Sequence, residues 1–198
     1  MKRITYLLLF VLVIACKAER PNNPEAEKWK AQAENIEIIR DDYGVPHIYG
    51  KTDADAVFGL LYAQCEDDFN RVEQNYIWAT GRLAEVDGEE ALYSDLRAKL
   101  FMNEAEAKAN YEKSPDWLRK LCDAFADGVN YYLYTHPEVK PRLLTHFEPW
   151  MPMYFSEGSI GGDIERISTE KMAAFYESDM ALPEMEILQM KKKKEAEE

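Results

Sequence analysis

Apolar residues change their spacing several times along the 198-residue chain, and each change marks an element. Residues 35–40 (NIEIIR) hold Ile36, Ile38 and Ile39 in a short β-branched run bounded by charge, which predicts a strand. Asp41, Asp42, Tyr43 and Gly44 read as a turn, since glycine tolerates positive φ and aspartate bonds nearby amides. Val45, Pro46, His47, Ile48 and Tyr49 predict a second strand, with Pro46 confining it to an edge or to its first residues. The two strands make a hairpin.

A helical period follows. Thr52 and Asp55 match a capping box. Phe58, Leu61, Cys65, Phe69, Val72, Tyr76 and Ala79 then repeat at steps of three and four, which is one face of a helix. Gly81 stands where the helix needs a left-handed residue. Glu66, Asp67, Asp68, Arg71 and Glu73 are expected to fill the opposite, solvated face. A looser helical region runs through Leu92, Leu96, Leu100 and Phe101 toward Tyr111. Ser114, Pro115 and Asp116 predict a new helix start with a serine cap. Its apolar face is Leu118, Leu121, Cys122, Phe125, Val129, Tyr132 and Leu133, and His136-Pro137 ends it. Residues 141–152 are irregular, and residues 155–174 suit a glycine-interrupted segment followed by a helix. The fold class expected is α+β, mostly helical with one short β-hairpin.

The termini differ from this body. Lys2 and Arg3 precede the apolar run 6–15 (YLLLFVLVIA), which is too short to span a bilayer, for which ~20 residues are needed. It reads as a secretory signal. Val13-Ile14-Ala15-Cys16 is similar to a bacterial lipobox, which implies cleavage before Cys16, lipidation of Cys16 and a lipid anchor in the cell envelope. An ordinary signal, or an uncleaved anchor with a chance cysteine, is the alternative. The expected organisation is a lipoprotein signal at 1–15, a tether at 16–34, a domain at 35–178 and a charged, spacer-like tail at 179–198 that carries four successive lysines.

Composition narrows the chemistry. A net charge of −13 argues against a nucleic-acid partner, which needs a basic face. His47, His136 and His146 do not lie at helical i, i+4 spacing, so they form no helical metal pair and read as structural. Cys65 and Cys122 fall on apolar helix faces and are expected as buried thiols, although export permits a disulfide between them. Glu66-Asp67-Asp68 suits a solvated face better than a cation site. Spacing alone names no reaction.

Several blocks in order do carry a name. IIRDDYGVPHIYG, FGLLYAQCEDDFNRVEQ, TGRLAEVDG, AFADGVNYYL and FEPWMPMYF resemble the α segment of the penicillin acylases, from about Ile36 to Tyr154. Asp68 departs from the arginine usual in that family, and the triplet carries more acid than is usual. The resemblance implies the α portion of an Ntn hydrolase, an αββα fold whose sheet core lies largely in a β segment. In that family a serine at the start of β, with its own α-amine as base, attacks the amide of an N-acylated substrate such as a penicillin, an acyl-homoserine lactone or a lipopeptide. The resemblance therefore implies a β-segment partner, an acylated small-molecule substrate and no catalytic residue in this chain.

Counting on from Trp150-Met151-Pro152 places Asp163, Arg166 and Ile167 near the family's α-side substrate-pocket positions. Arg166 matches the family's arginine, while Asp163 and Ile167 depart from its methionine and phenylalanine. Some members bind calcium, but Glu165 and Glu170 do not align cleanly, so no metal and no cofactor is assigned. Two other readings remain: an inactive truncated or frameshifted fragment, and a stand-alone lipid-anchored helical binding module.

Overall fold

A computed structural model describes residues 24–155 and 167–178. The signal run, Cys16 and the charged tail lie outside the described residues. Helix α1 (Pro24–Ala33) precedes strands β1 (Ile36–Arg40) and β2 (Pro46–Gly50), which pair antiparallel with Ile38 opposite Ile48. The long helix α2 (Asp53–Ala79), the one-turn α3 (Ala84–Asp87), α4 (Leu92–Lys99), α5 (Glu104–Lys113), α6 (Asp116–Thr135) and α7 (Thr169–Tyr176) follow. Short 3-10 turns cover Glu89–Ala91 and Met151–Tyr154. The mostly helical chain with one hairpin is the expected class. Among the described residues no helix is long and apolar enough to cross a membrane.

The helix α2 sits between the hairpin and α6, and two glycines set the spacing. A Cβ on Gly59 would lie 2.7 Å from Ile36 Cγ2 and 2.8 Å from Ile48 Cγ2, so the hairpin rests directly on the helix backbone. A Cβ on Gly128 would lie 2.5 Å from the Phe58 carbonyl oxygen, so α6 crosses α2 at backbone contact. Between the helices Leu61, Cys65, Phe69, Tyr76, Val129 and Tyr132 form the core. Thr52 and Asp55 close the expected capping box, and Gly81 takes φ +65° just beyond the helix.

Five expectations need correction. The stretch 16–34, read as a tether, contains α1, whose Ala26 and Trp29 are buried. Asp127 of α6 fastens that helix, accepting from Trp29 Nε1 and Lys28 Nζ at 2.7 Å each. The periodicity through residues 52–79 is one stripe but not one helix, because Asp68 leaves helical geometry (φ −162°, ψ 82°). Its carboxylate accepts the Arg71 amide at 3.0 Å and restarts the helix as an internal cap. The loose region to Tyr111 is two helices, and Asn103 with Glu106 forms the capping box of the second. Ser114 does not cap α6: its hydroxyl donates to the Asn110 carbonyl, and Pro115 occupies the cap position.

Glu73 is the largest departure from pattern. Placed on the solvated face by its charge, it is 0% exposed. Its carboxylate accepts the amides of Arg142 (2.9 Å), Leu143 (2.8 Å) and Leu144 (2.8 Å). The strap between α6 and Trp150 has no ladder of its own, so this carboxylate supplies its acceptors. Asn130 does the same further along, donating to the Phe147 carbonyl and accepting the Phe147 amide, both at 2.8 Å. Asp95 likewise caps α3 from α4, accepting the Leu83 and Ala84 amides at 2.7 and 2.8 Å.

Replacing Glu73 by alanine orphans one buried and two part-buried amides and is expected to lower the unfolding free energy by about 3 kcal/mol. Glu73→Gln keeps one carbonyl oxygen and is expected to lose less; urea unfolding followed by circular dichroism measures both. Gly128→Ala is expected to destabilise by about 2 kcal/mol or more, because the new methyl group meets backbone rather than a movable side chain.

Candidate functional site

The strap delivers a group of aromatic rings to one end of the α2–α6 pair. Tyr76 lies edge-on to Phe147 (centroids 4.9 Å apart), Phe155 (5.2 Å) and Phe125 (6.1 Å). Phe155 is part-exposed and ends the described stretch. The chain is described again from Ile167, whose carbonyl accepts from Arg97 Nη1 of α4 at 3.3 Å. Ser168 then caps α7 by accepting the Lys171 amide at 3.2 Å. Phe155 thus meets an aromatic cluster, and Ile167 meets a guanidinium.

Among the described residues the Tyr76 hydroxyl and Arg97 Nε, both buried, have no hydrogen-bond partner. An unpartnered buried donor costs about 1–3 kcal/mol, so each would gain from a partner outside the described residues. Burial pushes the Tyr76 phenol well above its usual range, with the nearby Cys65 and Cys122 thiols adding to the shift. It is a neutral donor, not a base.

Of the residues expected at the substrate pocket, Ile167 lies half-buried beside Arg97, while Asp163 and Arg166 lie outside the described residues. Glu165 also lies outside them, and Glu170 accepts the Ser168 hydroxyl at 2.6 Å in an exposed position. The acidic triplet is committed elsewhere. Arg40 reaches Glu66 (3.1 Å) and Asp67 (2.8 Å) and also donates to the Gly44 carbonyl, clamping the hairpin turn to α2. Asp68 serves as the internal cap. His47 sits 3.3 Å from Asp41 within the hairpin, and His136 stacks on Tyr132 at the end of α6. Cys65 and Cys122 are buried free thiols. Among the described residues this arrangement offers apolar wall, a neutral hydroxyl and a guanidinium, with no nucleophile and base in contact.

The penicillin amidase family model matches residues 35–190. The chain belongs to the penicillin amidase family. Within it, this family member is 32% identical over 127 residues to an acyl-homoserine lactone acylase, QuiP, of Pseudomonas aeruginosa, covering 62% of this chain and 15% of the relative. It is 29% identical over 121 residues to the QuiP of Pseudomonas fluorescens, covering 61% of this chain and 15% of that protein. Penicillin G acylase of Escherichia coli is 27% identical over 143 residues, covering 67% of this chain and 17% of the relative. The structure of a thermostable penicillin G acylase from Alcaligenes faecalis aligns with TM-score 0.48 and 20% identity, covering 80% of this chain and 83% of that one. The penicillin amidase chain thus spans about one sixth of the length of the curated relatives it matches.

Tyr76 and Arg97 escaped sequence reasoning for different reasons. Tyr76 lies on the core stripe, where a phenol looks like any large apolar residue. Arg97 lies in a helix rich in charge, and its contact is 70 residues away in sequence. No local pattern distinguishes either one.

Tyr76→Phe removes an unsatisfied hydroxyl and is expected to leave stability unchanged or raised by about 1 kcal/mol, as thermal and urea unfolding would report. The Cys65 thiol is pushed up to about 12 by burial, so it stays protonated through neutral pH. Iodoacetamide at pH 8 is therefore expected to spare Cys65 in the native protein and to modify it once urea unfolds the chain, as peptide mass spectrometry would show.

Proposed function

We propose that this penicillin amidase chain is the α portion of a lipid-anchored exported amidohydrolase, which cleaves the acyl amide of an N-acylated substrate together with a β segment. The observation that carries the reading is the family match across residues 35–190, set beside relatives named as acylases. In this reading the amine-activated serine and the oxyanion donors come from β. The α portion contributes a rigid frame and one edge of the acyl pocket, formed by Asp163, Arg166 and Ile167. Arg97 donates to the Ile167 carbonyl, and its Nε has no partner among the described residues. The hairpin supports a partner as well, since Ile39, Val45 and Tyr49 are about half exposed (48%, 53% and 58%).

A second reading, a stand-alone lipid-anchored binding module, draws on the core that residues 24–155 complete among themselves. Co-expression decides between the two. The chain is produced alone and with the coding sequence that follows it in its genome, and acid release is measured from penicillin G and an acyl-homoserine lactone. Hydrolysis is expected only from the pair. Hydrolysis by this chain alone would overturn the assignment of chemistry to β, and inactivity of both preparations would favour the module or an inactive fragment. For the anchor, mass spectrometry of the membrane fraction is expected to find Cys16 amino-terminal and acylated, and Cys16→Ser is expected to release the protein.

A further inference from the structure

Helix α4 is fixed at its base. Asp95 accepts the Leu83 and Ala84 amides at 2.7 and 2.8 Å, and Ala98 is buried. A Cβ on Gly81 would lie 3.0 Å from the Asp95 carbonyl oxygen, so α4 sits at backbone distance on the turn that follows α2. Helix α7 packs on α4 in turn. Two α4 side chains four residues apart reach its two ends. Tyr93 donates its hydroxyl to Glu177 at 2.9 Å, just past the carboxyl end of α7. Arg97 Nη1 donates to the Ile167 carbonyl at 3.3 Å, just before Ser168 caps the amino end.

The stability of α7 does not explain the arginine. A cation near the amino end of a helix opposes its dipole. Glu170, in the first turn, is the group that suits that end. Its carboxyl is held below the usual range first by the Ser168 hydroxyl and then by its own amide, with the Arg97 charge adding to both. Packing does not explain the arginine either, because its Nε is buried without a partner among the described residues, a cost that an apolar side chain would avoid. What a guanidinium adds is direction: a rigid, planar fork whose bond to one carbonyl fixes where the chain enters α7. The residue so held is Ile167, one of the three positions expected at the edge of the acyl pocket.

We propose that Arg97 is a positioning residue for the acyl pocket. By holding the Ile167 carbonyl against the fixed frame of α4 it sets the place of the pocket's α-side edge, and Tyr93 steadies the far end of α7. The pocket role rests on the acylase reading above; the seat of α7 on α4 does not. Loosening the seat weakens substrate binding more than it slows the chemistry, whose reacting groups belong to β in that reading.

Two measurements on Arg97→Met and Arg97→Lys test this. In hydrogen exchange of the full chain, Arg97→Met is expected to speed exchange of the α7 amides at least about threefold and to leave those of α2 and α6 unchanged. Arg97→Lys keeps a donor and is expected to recover part of the protection. Tyr93→Phe removes only the far contact and is expected to speed exchange at the carboxyl end of α7 alone. In the chain co-expressed with the coding sequence that follows it, Arg97→Met is expected to raise KM for penicillin G or an acyl-homoserine lactone at least about fivefold with kcat held within about twofold, and Arg97→Lys to recover part of the loss. Unchanged α7 exchange in Arg97→Met would overturn the seat. A fall in kcat at unchanged KM would overturn the positioning role, since that is what a loss of folded enzyme produces. No hydrolysis by the unaltered pair would sink the acylase reading and the pocket role with it, while the seat is still decided by exchange.

Discussion

A single buried carboxylate organises the half of the molecule that carries the candidate site. The segment leaving α6 turns back across α2 without any sheet or helix to satisfy its amides. Glu73 meets three of them from inside the core. A charge so deep is tolerable only when its oxygens are fully engaged, and three amide donors provide that. The strap so fixed delivers Phe147 between Phe69 and Tyr76, where Asn130 bonds its amide and carbonyl. From there Phe155 reaches the aromatic cluster. Arg142 secures the outer end through Gln74 at 2.7 Å and Asp87 at 2.6 Å. Those surface contacts are worth little beside the buried carboxylate.

Backbone proximity is the complementary constraint. Gly59 and Gly128 let the hairpin, α2 and α6 pack closer than any side chain would permit. Close layers leave no room for water to reach stray polar atoms, so polar groups in the frame must find protein partners. Asp55, Glu73, Asp95 and Asn130 are the buried polar residues of the described core, and each is engaged. Tyr76, which packs on Phe155, and Arg97, which donates to the Ile167 carbonyl, each keep a buried polar atom without a partner among the described residues.

The hairpin, the capped entry to α2 and the seam of α6 were legible in the sequence because each rests on local chemistry. Turn glycine, β-branched strand residues, a capping box and a 3.6-residue period all act within a few positions. Glu73 was not legible. A charged residue beside an apolar stripe reads as solvated, and its reason for burial stands 69 to 71 residues later. The helical break hid it further. Beyond Asp68 the buried positions widen to Phe69, Val72, Glu73, Tyr76 and Ile77, a broader face than the stripe seen in one phase through the whole run. In α1 the signal was present but short: Ala26 and Trp29 are one turn apart in an otherwise polar run. The pocket positions depended on counting across a glycine-rich stretch, and only Ile167 has a structural neighbour to report.

The break at Asp68 follows from how the acidic triplet divides its charge. Three adjacent carboxylates on a continuous helix would repel one another with no compensation. Here Glu66 and Asp67 converge on Arg40, and the same guanidinium donates to the Gly44 and Ala63 carbonyls. Asp68 turns out of the helix and spends its oxygen on the Arg71 amide. The first half of α2 is thereby tied to the hairpin, while the second half belongs to the strap that Glu73 holds. One acidic motif thus joins the two halves of the frame. Removing Arg40 would leave its carboxylates facing each other at the joint, so the hairpin's grip on α2 and the geometry of the break are a single electrostatic arrangement rather than two.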